Sequence, residues 1–470
     1  MRSPIRFDQL QAHARAGARR AAVVGASMAG LLAARVLSEH YDEVWLLDRD
    51  TLPEADQHRR ATPHSRHAHG LLARGREAIE TLFPGITAEW VANGALLGDL
   101  HGDVAFHGGL HAFSRAPSDL SAVAGSRPLL EGAVRRRVLD LPGVHACTGV
   151  DVQGLRVDIR GRVNGLQLAA LAGDEAGFDF DADLVVDATG RASRLPAWLR
   201  AIGREAPKEE RIQVDLRYAT CHFRRDAAVD PGCVVALCAA TPDSPMPGVM
   251  LAQEGDRWVV TLGGYGDDAP PLDLAGFIER AQRMPSPELA AIVRHAMPMG
   301  DPIGYRFTHS QRRRYERLAG FPEGLLAFGD AICSFNPIYG QGMSVAAAEA
   351  LALRDLLRAR TPRLAPAFFG RAARIVDTPW QTAVGADLAL DAVPGPRPLP
   401  VRVINAYVAK VFAAAASDAK VAAAFLQVAH LLAEPPSLMK PSMLWRVLRA
   451  NRARGGSEPA ERALALRARG

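Results

Sequence analysis

The sequence predicts a two-domain α/β protein. We expect a doubly wound, Rossmann-like domain, a second domain built on an antiparallel β-sheet, and C-terminal helices. Three observations predict this: a strand, glycine loop, helix and strand within residues 21–48, β-rich runs between residues 211 and 300, and helical sequence with proline breaks after Arg371. At 470 residues the chain exceeds one ordinary domain and can bury more than one core.

The amino-acid composition indicates which partners and which cellular compartment to expect. Hydrophobic residues make up 48% and charged residues 23% of the chain, as is typical of globular proteins. The net charge of +5 is small, and no arginine-rich run is interleaved with aromatic residues, so we expect no nucleic-acid partner. The five cysteines are scattered without the close pairs of a zinc site, which favours a reducing, cytoplasmic location.

Apolar segments of the sequence are short. The first twenty residues lack the apolar core of a signal peptide. The most apolar late stretch, Val421 to Ala433, has about 13 residues, whereas a membrane span needs roughly 18. We therefore expect no transmembrane segment, while a weak contact of the late helices with a membrane surface stays open.

The N-terminal unit has the pattern of a dinucleotide-binding fingerprint. A strand at Ala21–Val24 is followed by the loop Gly25–Gly30, a helix, a strand at Glu43–Leu47 and then Asp48. This is G-x-G-x-x-G with Ser27 in the place of the middle glycine. Such a loop opens a tight turn, lets the helix pack on the strand and presents the helix N-terminus to a pyrophosphate, while the terminal acid accepts hydrogen bonds from a ribose.

Two later loops also follow apolar strands. The strand Leu184–Val186 leads to Asp187 and Gly190, as at the ligand-binding edge of a parallel sheet. The strand Leu325–Phe328 leads to Asp330, then to Pro337, two glycines and a helix from Met343. The N-terminus of that helix offers unpaired N–H groups and a positive dipole end, which suit an anion or an electron-rich oxygen.

Together, the three loops resemble those of flavoprotein monooxygenases of the p-hydroxybenzoate hydroxylase type, over roughly residues 18 to 360. Gly25–Gly30 with Asp48 is similar to the FAD fingerprint of that group, Asp187–Gly190 to its "DG" motif, and Gly329–Asp330 with the following glycines to its "GD" motif. The segments at residues 65–75, 126–138 and 333–343 look most like a bacterial branch that includes the flavin epoxidases of polyether pathways of the monensin and lasalocid kind.

The resemblance implies a non-covalent FAD. Asp330 would hold the ribityl chain, the loop from Pro337 to Gly342 would lie along the isoalloxazine, and Arg127 would contact phosphate or ribityl oxygens. The predicted cofactor-binding residues are Gly25, Ser27, Met28, Ala29, Gly30, Asp48, Arg49, Arg66, His67, Arg127, Val152, Asp187, Gly190, Asp330, Pro337, Gly340, Gln341, Gly342 and Met343. No acidic partner stands at ligand spacing from the histidines between residues 58 and 69, so we expect no metal.

The resemblance also implies the domain boundaries. The FAD-binding domain would comprise residues 1–85, 120–210 and 301–370. Residues 86–119 and 211–300 would form a β-rich substrate domain, and residues 371–470 a C-terminal helical region.

The implied reaction is the transfer of one oxygen atom from a flavin C4a-hydroperoxide, formed with O2, to a lipophilic natural product. No catalytic base can be singled out, which favours epoxidation of a polyketide or terpenoid alkene, because hydroxylation of a phenol benefits from a base. Electrons would come from NAD(P)H bound transiently or from a separate flavin reductase, since there is no second G-x-G-x-x-G unit.

Other functions stay open at this point. They are aromatic hydroxylation on the same fold, alkene reduction of the geranylgeranyl reductase type, and flavin binding without catalysis. Halogenation is disfavoured, because the first lysine is Lys208 and the Trp-x-Trp-x-Ile-Pro stretch of flavin halogenases is absent.

Overall fold

The structure is a computed structural model that describes residues 4–53, 56–171 and 177–467, with only the backbone described for residues 11 and 455–467. The strands of these residues are β1 (Ile5–Arg6), β2 (Arg20–Val24), β3 (Glu43–Asp48), β4 (Leu96–Asp99), β5 (Val104–Gly108), β6 (His111–Ala112), β7 (Ser121–Ala124), β8 (Val144–Thr148), β9 (Val150–Val157), β10 (Val163–Ala170), β11 (Phe178–Asp181), β12 (Leu184–Asp187), β13 (Glu209–Arg224), β14 (Val235–Ala239), β15 (Gly248–Gln253), β16 (Arg257–Tyr265), β17 (Ile303–Arg313), β18 (Leu325–Ala327) and β19 (Cys333–Ser334).

The α-helices of the same residues are α1 (Leu10–His13), α2 (Met28–Leu37), α3 (Ala73–Leu82), α4 (Ile86–Ala92), α5 (Arg127–Asp140), α6 (Leu195–Ala201), α7 (Leu274–Gln282), α8 (Pro287–His295), α9 (Gly342–Arg358), α10 (Leu364–Asp387), α11 (Leu399–Ala415), α12 (Ala419–Ala429) and α13 (Pro441–Arg467). Short 3-10 turns connect several of them, including Gly190–Ala192, Gly329–Ala331, Pro337–Tyr339 and Pro435–Met439.

The chain folds into two compact units. The first unit comprises residues 1–95, 125–212 and 309–381, and the second comprises residues 96–124, 213–308 and 382–470. The C-terminal helices after residue 381 thus belong to the second unit. The assignment of an FAD-binding and a substrate role to parts of the chain stays a prediction, because it concerns bound molecules.

A parallel sheet forms the centre of the first unit, as the sequence predicts for a doubly wound domain. Its strand order is β1-β8-β3-β2-β12-β18, and the strand pairs are parallel. The strands β2, β3, β12 and β18 are buried along their whole length, which explains their continuous runs of apolar residues. The first unit also contains an antiparallel sheet of β9, β10 and β11.

A mostly antiparallel sheet forms the second unit, in the order β17-β13-β16-β15-β14-β5-β6. The sequence predicts antiparallel strands here and a hairpin around His101–Phe113, and β5 and β6 do form a hairpin. However, β5 pairs with β14 in parallel, over Val104–Gly108 and Val235–Ala239. The two strands are far apart in the chain, so local sequence could not reveal their relative direction. One face of the sheet packs against α7 and α8 through a core that includes Phe223, Trp258 and Phe277.

The C-terminal helices have a core of their own. Val411 and Phe412 of α11, Val421 and Leu426 of α12, and Val447 of α13 pack together with aromatic residues of β5 and the chain after β6. The stretch Val421–Ala433, which the sequence singles out as the most apolar, therefore contributes to this core. Among the described residues, no helix combines the length and the apolar character required to cross a membrane.

Candidate functional site

The predicted motifs meet at the carboxyl edge of the parallel sheet. Gly25 follows β2, Asp48 ends β3, Asp187 ends β12, and Gly329 and Asp330 follow β18. Since β3, β2, β12 and β18 are consecutive neighbours in the sheet, their carboxyl ends deliver these residues to one edge. This edge is where open α/β sheets bind their ligands.

Two glycines of the fingerprint are required by close backbone contacts. Gly25 has a φ of +101°, and a Cβ there would lie 2.6 Å from the carbonyl oxygen of Ala188 in the "DG" loop. A Cβ on Gly30 would overlap the carbonyl oxygen of Gly25. The absence of side chains thus lets the loop turn sharply and lets α2 start directly against it.

Asp48 is held in a buried ionic network. Its Oδ2 accepts a hydrogen bond of 2.6 Å from the N–H of Ala26, and its Oδ1 accepts one of 2.8 Å from the N–H of Asp50. The guanidinium of Arg59, buried to 2% exposure, lies 2.9 Å from Oδ1 and donates to the carbonyl of Ala26. Asp48 therefore fixes the fingerprint loop, and its contact with a ribose stays a prediction.

A second carboxylate stands at the N-terminus of α2. Glu131 of α5 accepts a hydrogen bond of 3.3 Å from the N–H of Met28, and it forms an ion pair of 3.1 Å with Arg127. Ser27 occupies the N-cap position without a capping hydrogen bond from its own side chain. Arg127 thus lies beside the fingerprint loop, at a place compatible with its predicted phosphate contact.

Two neutral imidazoles, of His64 and His69, lie near Arg127. His64 lies 3.0 Å from its Nη1, and the ring of His69 lies 5.5 Å from that of His64. Burial, followed by the charge of Arg127, lowers the pKa of His64 to about 2 and that of His69 to about 3. The described residues hold no cluster of three or more potential metal-ligating side chains.

Asp187 fixes the "DG" loop from within. Its buried carboxylate accepts hydrogen bonds from the N–H and the hydroxyl of Thr189, at 3.0 and 2.6 Å, and from the hydroxyl of Ser193. Burial raises the pKa of Asp187, and these hydrogen bonds oppose that rise. The loop then turns through Gly190, which has a φ of +77°.

Asp330 joins the three motifs in space. A Cβ on Gly329, whose φ is +63°, would lie 2.7 Å from the Cβ of Ala29 in the fingerprint. The Cβ of Asp330 is 3.8 Å from the Cβ position of Gly190, and its Oδ1 is 3.4 Å from that of Gly342. The carboxyl group of Asp330 therefore lies between the "DG" turn and the first residue of α9. Burial raises its pKa, and Arg127 and Arg191 oppose the rise.

Glu349 supports the same turn from inside the protein. It is fully buried on α9, two helical turns after Gly342, and its Oε2 accepts a hydrogen bond of 2.8 Å from the N–H of Gly329. Burial raises the pKa of Glu349 to about 8, and the charge of Asp330 adds to the rise. Its carboxyl group therefore carries a proton at neutral pH.

The N-terminus of α9 is open to a ligand. Asn336 caps the turn Pro337–Tyr339 by accepting a hydrogen bond from the N–H of Ile338, and Gly340 has a left-handed φ of +63°. Gln341 is the N-cap of α9 but forms no capping hydrogen bond with its side chain. The Oε1 atom of Gln341 is buried and has no hydrogen-bond partner.

These features fit FAD. Two helix N-termini, of α2 and α9, point to one sheet edge without a side-chain cap from their N-cap residues, and Asp330 stands beside the second. A buried amide oxygen and left-handed glycines leave polar groups and space where a flat ring could approach the backbone. The N-terminus of α2 suits a pyrophosphate, which would replace Glu131 as the acceptor for the N–H of Met28. The N-terminus of α9 suits the negative charge of a reduced ring.

Four further predicted cofactor-binding residues lie outside the three loops of the site. Arg49 and Arg66 are exposed, and Arg49 forms an ion pair of 3.4 Å with Asp151. Val152 is buried, and its carbonyl accepts a hydrogen bond from Arg194. His67 is buried, and its carbonyl lies 3.0 Å from Nδ1 of His69. The cofactor contacts of these residues stay predictions.

Sequence reasoning missed several residues of the site. Glu131 and Glu349 carried a signal, because each lies on the helical face of a predicted residue, four positions after Arg127 and seven after Gly342. Arg59 carried none, since it is one of many arginines and comes from a loop. Its role depends on the folded chain bringing it to Asp48.

A comparison with known proteins identifies a relative. No protein-family model matches the sequence. Protein Rv3254 of Mycobacterium tuberculosis is 37% identical over 353 residues, which cover 72% of this chain and 73% of that protein. The chain belongs to the family of Rv3254. The name of this relative does not describe an activity.

Several solved structures share the fold of this chain. PqsL of P. aeruginosa, in complex with 2-aminobenzoylacetate, is 18% identical, with a TM-score of 0.60 and coverage of 78% of this chain and 94% of its own. The flavin-dependent brominase Bmp2 is 15% identical, with a TM-score of 0.64 and coverage of 94% and 99%. p-Nitrophenol 4-monooxygenase PnpA of Pseudomonas putida is 18% identical, with a TM-score of 0.60 and coverage of 89% and 100%. The fold of this chain is that of FAD-dependent monooxygenases.

Proposed function

We propose that the protein is an FAD-dependent monooxygenase that transfers one oxygen atom from O2 to a lipophilic natural product, most simply to an alkene. The observation that carries the proposal is the position of Asp330 between the "DG" turn and the uncapped N-terminus of α9. FAD, when bound, supplies the activation of O2 and the electrophilic oxygen. The same fold occurs in proteins named as monooxygenases, which supports this choice.

Different residues of the chain would bind and orient different parts of FAD. The N-terminus of α2 and Arg127 would hold the pyrophosphate, and Asp330 would hold hydroxyl groups of the ribityl chain. The N–H groups at the start of α9 would stabilise negative charge on the ring without a charged side chain. Because its carboxyl group is protonated, Glu349 would hold the Gly329 turn in place without adding a second negative charge beside Asp330.

One face of the sheet in the second unit has a residue composition that favours a lipophilic substrate. The register of β13, β16 and β15 gives the face opposite to the α7–α8 core the residues Leu216, Tyr218, Thr220, His222, Arg224, Val249, Leu251, Gln253, Arg257, Val259, Thr261, Gly263 and Tyr265. The central members are apolar or carry hydroxyl groups, and Thr220 and Thr261 share a hydrogen bond of 2.6 Å. The charged residues of this face, Arg224 and Arg257, lie opposite each other at one end of the strands, and Arg257 forms an ion pair of 2.7 Å with Glu254. The central part of the face suits an apolar carbon framework better than a small charged acid.

We further propose that NAD(P)H binds this chain directly as the reductant. A cleft of about 540 Å³ in the first unit is lined by cationic side chains that include Arg191, Arg200, Arg211 and Arg313. Such a set favours a ligand with phosphate groups. The alternative is a separate flavin reductase, and replacement of the exposed Arg200 by Ala distinguishes the two. It should raise the KM for NAD(P)H several-fold, with turnover at saturation unchanged.

Labelled dioxygen tests the reaction. The protein loaded with FAD, supplied with NAD(P)H and a lipophilic polyene such as squalene, should place the label in an epoxide, and labelled water should not. Label in a phenol from an aromatic probe would instead support the hydroxylase alternative. Saturation of an alkene under anaerobic conditions would replace the proposal by a reductase.

A further inference from the structure

Six apolar side chains lie exposed on the C-terminal helices of the second unit. Their exposed fractions lie between 51% and 69%. They are Leu399, Val403 and Ile404 of α11, Met439 of the turn Pro435–Met439, and Trp445 and Leu448 of α13. We call this set the outer apolar face.

The fold of these helices does not require the outer apolar face. The core between α11 and α13 is formed by other residues, among them Val411, Phe412 and Val447, with Tyr407 and Met443 packed against it. A helix with one buried apolar stripe normally presents polar residues on its opposite side. In α11, Leu399, Val403 and Ile404 continue the apolar stripe of Tyr407 and Val411 at spacings of four and seven residues, beyond the part that the core covers. In α13, Trp445 and Leu448 lie off the buried stripe of Met443 and Val447.

The six residues lie at the same end of the two helices. The side chain of Asn451 donates to the carbonyl of Lys410 at 2.9 Å, and that of Arg454 donates to the carbonyl of Ala413. Contacts that advance together along both sequences show that α11 and α13 run side by side in the same direction. The first turns of α11 therefore lie beside those of α13, and the hydroxyl of Tyr407 reaches the carbonyl of Leu438 in the preceding turn.

The surroundings of the outer apolar face are cationic. Neither α11 nor residues 441–454 of α13 contain an Asp or a Glu. The exposed basic residues of these two segments, together with the residue before α13, are Arg402, Lys410, Lys440, Arg449, Arg452 and Arg454. Of the acids close by in sequence, Asp418 forms an ion pair of 2.7 Å with Arg446, and Glu434 precedes the turn before α13.

We propose that the outer apolar face binds the surface of an anionic lipid bilayer. The apolar side chains would enter the boundary between headgroups and acyl chains, and the basic side chains would contact lipid phosphates. Trp445, with Arg449 at 5.3 Å from its ring, is a residue pair that suits this boundary. A second copy of the chain would bring like charges together, and an acidic protein surface would leave the apolar side chains opposite charged groups.

Cosedimentation with vesicles tests the proposal. The full chain should bind vesicles of phosphatidylcholine mixed with phosphatidylglycerol, bind phosphatidylcholine alone far more weakly, and lose affinity as salt increases. Leu448→Ser should weaken binding about tenfold, and Arg449→Gln about fivefold. The matched control is Leu272→Ser, because Leu272 is a leucine of similar exposure, 55% against 51%, that contacts β17 at the other edge of the sheet. It should bind like the wild type.

Three results would overturn the proposal. The first is that the wild type fails to bind the mixed vesicles, or that Leu272→Ser weakens binding as much as Leu448→Ser. The second is a dimer in sedimentation velocity that Leu448→Ser dissociates, since the face would then be covered by a second copy. The third is binding to soluble polyglutamate that is as tight as to vesicles and insensitive to Leu448→Ser, which would assign an acidic protein partner. The assay needs no turnover, so it can succeed or fail independently of the proposed oxygenation.

Discussion

The carboxyl edge of the parallel sheet and the outer apolar face differ in where they place polar and apolar groups. At the sheet edge, ionisable side chains such as those of Arg59, Asp187 and Glu349 are buried, and hydrogen bonds or ion pairs hold them. On the outer apolar face, large apolar groups such as Trp445 and Leu448 are exposed. Each region thus violates the usual distribution of residues, in opposite directions.

The two regions should therefore differ in how strongly amino-acid substitutions affect folding. Buried, interlocked groups at the sheet edge leave little space, so substitutions there should change stability or cofactor affinity strongly. Exposed side chains on α11 and α13 have few neighbours to lose, so substitutions should change binding to a partner and leave folding almost unaffected. The predictions below separate these two kinds of effect.

The largest effect is expected for Gly30→Ala. The added methyl group would overlap the carbonyl oxygen of Gly25, so we expect a loss of about 4 kcal/mol or more in the free energy of unfolding, together with loss of FAD. Chemical denaturation and the FAD content of the purified protein measure it. Gly370→Ala is the matched control, because a Cβ there meets no atom within 4 Å, and it should gain about 0.5–1 kcal/mol in its helix. Retention of full FAD by Gly30→Ala would contradict the assigned fingerprint.

Glu349→Gln should stabilise the protein in a pH-dependent way. The folded carboxyl group, with a pKa of about 8, keeps its proton up to about that pH, whereas the unfolded one loses it near the ordinary glutamate pKa of 4.5. The wild type therefore loses stability as pH rises between these values, by roughly 3 kcal/mol at pH 7. The Gln variant keeps an acceptor for the N–H of Gly329 and should not show this loss.

Denaturation at several pH values checks the expectation for Glu349→Gln. The difference between variant and wild type should vanish near pH 4.5 and grow toward pH 8. The exposed Glu77→Gln serves as a control and should show no such trend. A pH-independent difference would mean that Glu349 is charged in the folded protein.

Asp330→Ala should weaken FAD binding by about 1–3 kcal/mol, the scale of a lost hydrogen bond to a charged group. The charges of Arg127 and Arg191 also act on this carboxyl group, so its removal would leave more positive charge beside the turn. Titration of the apoprotein with FAD, followed by fluorescence, measures the affinity. Asp355→Ala, an exposed acid on the same helix α9, is the control and should bind FAD like the wild type. Equal affinities for the two variants would exclude Asp330 from the cofactor site.

The smallest effect on folding is expected for Leu448→Ser. Because its side chain is already half exposed and lies outside the core of α11–α13, the free energy of unfolding should change by less than about 1 kcal/mol. Thermal unfolding measures this change, alongside the loss of vesicle binding. A large destabilisation would show that the outer apolar face is part of the fold and would remove its contrast with the sheet edge.

The sequence by itself determined the three loops of the first unit and the order of their strands along the chain. Gly25–Gly30, Asp187–Gly190 and Gly329–Asp330 are local patterns, because each turn needs particular residues at fixed spacings. The sequence also indicated the fold class. The buried parallel strands appear as continuous apolar runs, and the segments between residues 211 and 300 are rich in residues that favour antiparallel strands. The structure confirms that class, with the parallel sheet and the mostly antiparallel sheet in separate units.

Only the tertiary structure decided which distant residues meet. It brought Arg59 to Asp48, placed Glu349 under the Gly329 turn, and paired β5 in parallel with β14. It also decided that Val421 and Leu426 are buried while Trp445 and Leu448 are exposed. Hydropathy alone assigns both groups to an interior. Their burial depends on which helix faces receive a neighbour, and that is settled by packing across the whole unit.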